Sequence, residues 1–281
     1  MTSIKLFRGE FGHVSLLGVA SDLVTHAHPD AHIIIWLEGT AGSMEVGDRT
    51  VFPRPGTAVA INAFEPHSHT LSHEIGSGEG ARGPGLFLAL YIDPDWVARH
   101  FGVTVAPLFP EPEIALAPWL DAAVTRLYRS LSGDEGVDDL AGYEFERLIE
   151  SLLDAACGQA SRRKREAARA GYSDYRVRKA IELMKSNICE RICFDELARE
   201  VGLSRAHFFT LFKEQTRLTP NVYWNTLRME EARRQLQTSQ DPLISVACNL
   251  GFTTQGNFTR FFRDHVGVPP MQYREAARGV H

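Results

Sequence analysis

The chain is 281 residues long, 44% hydrophobic and 23% charged, with a net charge of −5 at neutral pH. This composition suits two ordinary soluble domains and excludes a disordered chain, and no apolar run is long enough to span a bilayer. Met1 to Glu10 lacks the pattern of a secretion signal, so a cytoplasmic location with no membrane partner is expected. The charge is unevenly held. Residues 1–160 carry 9 Lys+Arg against 22 Asp+Glu, residues 161–173 carry 5 against 1, and residues 174–281 carry 16 against 12. The acidic part would repel a phosphate backbone and the basic part would tolerate one. Cys157, Cys189, Cys193 and Cys248 lack a paired zinc spacing and read as buried free thiols.

In chain order, short β-type runs come first: 14–19, 23–26, 32–38, 43–46, 50–52, 57–62 and 86–92. Gly39, Gly42, Gly47-Asp48, Pro53, Pro55-Gly56 and Pro66 punctuate them as turns. Many short strands with such turns predict an all-β small barrel or jelly roll. The pattern then turns helical at 94–100, 118–131 and 140–156. Leu116, Leu120, Val124, Leu127 and Leu131 line one apolar face, and Leu140, Phe145, Leu148, Ile149, Leu152 and Leu153 line another. These faces either pack on the barrel or serve in part as a dimer contact. Ser161 to Gly171 has basic and Ala-rich residues without an apolar stripe, and reads as a solvated tether. A supporting helix follows, with Val177, Ala180, Ile181, Met184 and Ile188 on its buried face.

From Leu197 to Tyr273 the chain states one pattern twice. Ala198, Val201, Gly202, Phe208, Phe212, Lys213 and Pro220 return as Ala247, Leu250, Gly251, Phe258, Phe262, Arg263 and Pro270, about fifty residues on. A repeat of this size is one supersecondary unit used twice. Each copy reads as a short helix, a Gly-containing turn and a second amphipathic helix, the layout of a helix-turn-helix. Ser204 and Thr254 are expected to cap the second helices, and Thr219-Pro220 to open a long connecting helix to about Leu236. Asp241-Pro242 reads as N-cap plus first-turn proline.

Gly202-x-Ser204-x-x-His207-Phe208 with Phe212-Lys213 and Thr219-Pro220, then Ala247-x-x-x-Gly251-Phe252 with Phe258, Arg260, Phe262-Arg263, Gly267 and Pro270-x-x-Tyr273-Arg274, resembles the AraC-type DNA-binding domain. The resemblance covers roughly residues 174 to 278. Arg217 departs from it, standing where that family usually has Gly, as does Pro269 in place of Ser or Thr. The resemblance implies a transcription regulator, commonly an activator. Its implied partners are double-stranded promoter DNA, a small-molecule effector, RNA polymerase and a second copy of the chain.

With the Phe positions buried, helix geometry exposes Arg205, Ala206, Phe209, Thr210 and Lys213 in the first unit. In the second it exposes Gln255, Gly256, Thr259, Arg260 and Arg263. Arg pairs bidentately with guanine and Gln with adenine, so Arg260, Gln255 and Arg205 are the expected base readers. Lys213 and Arg263 are expected on phosphates. Phe209 either meets a thymine methyl or turns inward as core.

In the N-terminal half, His26-x-His28-x-x-x-His32 before Gly39, followed by Pro55-Gly56 and Pro66-His67, resembles the two cupin motifs. His32 stands where metal cupins usually carry Glu. That resemblance makes His26, His28, His32 and His67 candidate ligands of zinc, nickel or iron. The same residues can instead be polar groups of an organic-effector pocket, or core histidines. By strand alternation Ile34, Trp36 and Glu38 share the His32 face; Trp36 and Glu38 join the effector candidates, with Trp36 either stacking on a ligand or serving as core. His69, His73 and Glu65 are weaker candidates.

The expected architecture is a cupin-like effector-binding barrel over 1–105 and a helical segment, with possible dimerisation, over 106–160. A linker over 161–173 and an all-α DNA-binding domain over 174–281 complete it. No catalytic residue is expected. The alternative is a metal-dependent cupin enzyme carrying a DNA-binding domain.

Overall fold

The computed structural model describes residues 4–71, 84–101, 107–132, 139–164 and 174–278. His73 lies outside the described residues. Ten β-strands precede or interleave with the first helices: β1 Ile4–Gly9, β2 Gly12–Val19, β3 Leu23–His26, β4 Ala31–Glu38, β5 Ser43–Val46, β6 Arg49–Val51, β7 Thr57–Ile61, β8 His67–Thr70, β9 Gly85–Ile92 and β10 Glu113–Ala115. They form a six-stranded sheet in the order β1-β2-β9-β4-β7-β10 and a four-stranded sheet in the order β3-β8-β5-β6. Among the described residues the two sheets do not join edge to edge. Of the two expected forms, a small barrel or a jelly roll, the structure is not a closed barrel but two facing sheets, each keeping its own edges.

Strand pairing is antiparallel throughout, and its register sets which side chains meet. His13, Tyr91 and His32 are directly opposite one another across β2, β9 and β4. His26 and His67 are opposite one another across β3 and β8 in the other sheet. Because side chains alternate strictly along a strand, one row of each sheet turns toward the other.

The apolar core lies on the far side of the large sheet. Ile33, Ile35, Leu88, Leu90 and Ile92 meet Trp96 of α1 (Pro94–Phe101) there. Leu120, Val124, Leu127 and Leu131 of α2 (Pro118–Ser132) join the same cluster, with Phe145, Leu148, Ile149, Leu152 and Leu153 of α3 (Asp139–Lys164). These two apolar stripes are thus spent on the core. Trp119 of α2 remains 62% exposed. α3 runs on to Lys164, so the first four residues of the expected linker are helical.

The C-terminal part comprises α4 (Tyr175–Ser186), α5 (Phe194–Glu200), α6 (Arg205–Thr216), α7 (Pro220–Thr238), α8 (Leu243–Asn249), α9 (Gln255–Val266) and α10 (Pro270–Arg278). The sequence repeat is a repeat in space. α5–α6 and α8–α9 are helix pairs, each turning at a left-handed glycine: Gly202 at φ 74° and Gly251 at φ 72°. Phe212 meets Tyr223 edge-on at 5.3 Å, and fifty residues later Phe262 meets Tyr273 at 5.3 Å. Each pair has its own core. α7 contributes Tyr223 and Trp224 to the first and Met229, Ala232 and Leu236 to the second, so one helix fixes the spacing of both pairs.

The caps follow the expected chemistry with one exception. Ser204 accepts from the His207 N–H, Thr254 from the Asn257 N–H and Thr219 from the Val222 N–H. Each such cap contributes about 1 kcal/mol. At α8, however, Pro242 is itself the N-cap, with no side-chain cap, and Asp241 stands one residue outside the position expected for it. Arg217 ends α6 at φ 63°, and its counterpart Gly267 ends α9 at φ 83°. The Arg-for-Gly departure thus falls on a left-handed cap, where a side chain is strained. Cys189, Cys193 and Cys248 are exposed, correcting the buried-thiol expectation for these three, which sit at helix ends and on the outward face of α8; the Cys157 side chain lies outside the described residues.

The two parts of the chain are docked. α7 and α9 pack on β3, and α10 packs on β1. Ala27 and Phe64 of the β domain join the core of the first helix pair, where Phe64 stacks on Tyr223 at 5.7 Å.

Candidate functional site

The two rows of the facing sheets converge on a cavity of about 50 Å³ at the domain junction. His13, His32 and Tyr91 line it from the large sheet, His26, His67 and His69 from the small sheet, and His28 from the connection between β3 and β4. The C-terminal domain closes it with Arg233 of α7, His265 of α9 and Tyr273 of α10. His26, His28, His32 and His67 are all buried, with ring centroids 4.3 Å apart for His26–His67 and 4.8 Å for His32–His67. One ring nitrogen each of His26, His28 and His67 lies within 4.8 Å of the others.

Hydrogen bonding settles which nitrogen is protonated in three of the four rings. A carbonyl oxygen can only accept, so Nδ1–H of His26 donates to Val24 O at 2.6 Å and that of His67 to Glu65 O at 2.9 Å. His32 Nδ1 does the same, over 3.4 Å, to Asp30 O. The Nε2 lone pairs are therefore the free ones. His32 Nε2 is buried without a hydrogen-bond partner. Burial, then neighbouring His and Arg charge, holds all four imidazoles well below the ordinary histidine value, so the rings are neutral. Neutral imidazoles, three of them oriented by an outer hydrogen bond, have the chemistry to hold a divalent transition metal. Ligand nitrogens on one tetrahedral ion lie about 3.4 Å apart, against up to 4.8 Å among His26, His28 and His67, so those three rings would swing inward to share an ion.

Trp36 and Glu38 do not belong to this site. The alternation holds from His32 through Ile34 to Trp36, which stands opposite Phe87 two residues beyond Ile34 and outside the cavity lining, and the β4–β9 register shifts only between Trp36 and Glu38. Glu38 is exposed and accepts from the Tyr128 hydroxyl at 3.2 Å instead. Ile34 does line the cavity, and so does His69, whose Nε2 donates to Ala41 O at 2.7 Å. Glu65 turns away to accept from the Asn62 amide.

Arg233 is the site's cation. It is 7% exposed, donates from Nε to the Tyr273 hydroxyl at 3.1 Å and from Nη1 to Glu230 at 3.1 Å. Its Nη2 lies 2.5 Å from His13 Nε2, and its guanidinium sits 5.0 Å from the Tyr91 ring centroid. Burial pushes the Tyr91 hydroxyl up to about 12 and Asp30 up to about 6. Strand periodicity could have added His13 and Tyr91 to the candidates. Nothing in the sequence could have added Glu230, Arg233, His265 and Tyr273, which arrive by domain docking.

A second surface lies on α6 and α9. Arg205, Ala206, Thr210, Lys213, Gln255, Gly256, Arg260 and Arg263 are exposed, while Phe209 and Thr259 are half-buried. Phe209 turns inward onto Phe194, with ring centroids at 5.7 Å, and Arg205 covers it at 5.1 Å. Arg205 also pairs with Asp195 at 2.7 Å, both being about half exposed. Such a surface pair is worth about 0.2–1 kcal/mol, less than the 1–3 kcal/mol of a bidentate Arg–guanine contact, so it yields to a base. Arg263 meets Asp264 at 3.2 Å.

Among the described residues no helix is long and apolar enough to cross a membrane. Residues 197–276 match the helix-turn-helix domain family. The chain is 30% identical over 158 residues to the HTH-type transcriptional regulator ArgR of Pseudomonas aeruginosa, covering 56% of this chain and 47% of that one. It thus spans about half the length of that relative. Its fold is similar to that of apo ToxT from Vibrio cholerae, with a TM-score of 0.56 at 12% identity over 96% of this chain and 98% of the other. A second ToxT structure, with an unsaturated fatty acid bound, aligns at a TM-score of 0.50 and 13% identity over 100% and 96%. Over residues 197–276 the chain is thus similar to the helix-turn-helix domains of transcriptional regulators.

Proposed function

We propose that the chain is a sequence-specific DNA-binding transcription regulator whose response to an effector is set at the histidine cavity. The observation that carries the DNA reading is the doubled helix pair. α6 and α9 occupy equivalent places in two copies of one unit, and each bares polar and cationic residues while burying its phenylalanines. Two such helices on one rigid connector suit successive major grooves on one face of a duplex, about 34 Å apart. Arg260, Gln255 and Arg205 read bases, and Lys213 and Arg263 meet phosphates. An activating role, with RNA polymerase as partner, belongs to the same proposal. So does pairing of two copies across α2 and α3, where exposed Trp119 borders a groove also lined by Arg126 and Arg147.

The effector class follows from size and donors. The cavity of about 50 Å³ has room for an ion with a water. The favoured occupant is one divalent zinc, nickel or iron ion on His26, His28, His32 and His67. An organic effector is the second reading, favoured by the fatty acid in the ToxT structure. Among the described residues no carboxylate lines the cavity itself, and we assign the site no catalysis. The test is selection of bound duplexes from a random library by the full chain. Enrichment of one motif, with affinity falling steeply as salt rises, is the expected result. Salt-sensitive binding without any motif would remove the sequence-specific reading.

A further inference from the structure

Three of the four buried histidines are oriented by carbonyls of their own domain, and His28 is not. Its Nδ1 has no hydrogen-bond partner within the β domain; the nearest opposing group is Glu230 Oε1 on α7, at 3.6 Å. We infer that an ion held by the histidine cluster clasps the two domains together, with Glu230 of α7 as the outer partner of His28. This rests on the metal reading of the cavity.

The physical chain is short. In the neutral ring the proton sits on either nitrogen, and a bare Nδ1 lone pair facing a carboxylate is repulsive. A cation on Nε2 confines the proton to Nδ1 and makes that N–H a stronger donor, so the contact with Glu230 becomes a charge-assisted hydrogen bond. Loaded and unloaded protein therefore differ in how firmly α7 is held, which is the differential interaction a switch requires. Glu230 hands the contact on, because it also accepts from Arg233 at 3.1 Å, and Arg233 reaches Tyr273 of α10. The other side of the cluster is closed by α9. His265 donates from Nδ1 to Phe261 O at 2.7 Å, leaving its Nε2 free, and its ring lies 5.9 Å from that of His26. α7 joins both helix pairs, so a clasp at Glu230 bears on the element that sets their spacing.

The experiment uses the full chain, without a histidine tag, stripped by chelator and titrated with Co²⁺ alone. Wild type is expected to take up one ion per chain, with the visible absorption of a nitrogen-rich site. The ion should slow hydrogen exchange in α7 along its barrel-facing side. Glu230→Gln should still bind one ion, with affinity lower by about 10–100-fold. It should also move the ¹⁵N signal of His28 Nδ1–H and lose the slowing in α7. Equal affinity and equal slowing in the variant would overturn the clasp while leaving the metal site standing. In wild type alone, Co²⁺ uptake with no change in α7 exchange would overturn it as well, independently of how the variant folds. No uptake at all would overturn the metal reading and the clasp together, and leave DNA selection by the same protein untouched.

Discussion

Arg233→Met is the sharpest probe of the domain junction. The substitution keeps much of the side-chain length and removes the charge. It deletes the donations to the Tyr273 hydroxyl and Glu230, the close approach to His13 and the contact with the Tyr91 ring. Breaking a buried charged pair by removing one partner costs about 3–5 kcal/mol. Glu230 retains 29% of its side-chain exposure and can recover some hydration, so the lower end, about 3 kcal/mol, is expected here. The loss should fall on docking rather than on the separate cores, since Arg233 belongs to none of the hydrophobic clusters. Native-state hydrogen exchange reads this directly. Amides of β3 and of the facing side of α9 should open about a hundredfold more often, while those of α6 and β9 hold their wild-type protection. Unchanged exchange at β3 and α9, or an equal loss throughout both domains, would refute the reasoning.

Three further outcomes follow from single residues. Arg217→Gly relieves a left-handed conformation at φ 63°, so global stability in denaturant melts should rise by about 1 kcal/mol, whereas Gly267→Arg should lower it. The Arg176 side chain and backbone N–H hold the Asp174 carboxyl at about 2. Because that folded value is depressed, the cap's contribution is complete above the ordinary carboxylate range and is lost as pH falls through about 2. Carboxyl NMR titration should show this, and Arg176→Ala should return Asp174 toward the usual value. Arg260→Ala should cost about 1–3 kcal/mol on a selected duplex and relax one base position. An equal loss on scrambled DNA would make Arg260 a phosphate contact.

The C-terminal half was readable because its signals are local and stated twice. A left-handed glycine, a Ser or Thr cap and a Phe pair four residues apart each specify backbone and packing within a dozen residues. The Asp241-Pro242 cap misled by one position because both residues are plausible caps and only the chain's path decides. In the β half, alternation located most strands. It missed β1 at Ile4–Gly9, β8, whose His67–Thr70 carries no apolar residue, and β10, which is three residues long. Closure of a barrel is not written in strand pattern, since sheet edges meet or fail to meet through contacts far apart in sequence. The four histidines were visible as motif residues, but alternation says nothing of how far along β4 the cavity reaches: Trp36 keeps the His32 face and lies beyond the lining, and Glu38 follows a register shift. The cavity's lid was invisible, because Arg233 and His265 look like ordinary helix residues until the domains dock.

The measurement that bears most directly on the central claim is a hydroxyl-radical footprint of the full chain on a selected duplex. It should be repeated with Arg205→Ala and Arg260→Ala. The account predicts two protected stretches on one face of the duplex, about one helical turn apart, each variant weakening protection in one stretch only. A single protected stretch, insensitive to one of the two arginines, would contradict a protein that reads DNA with both helix pairs.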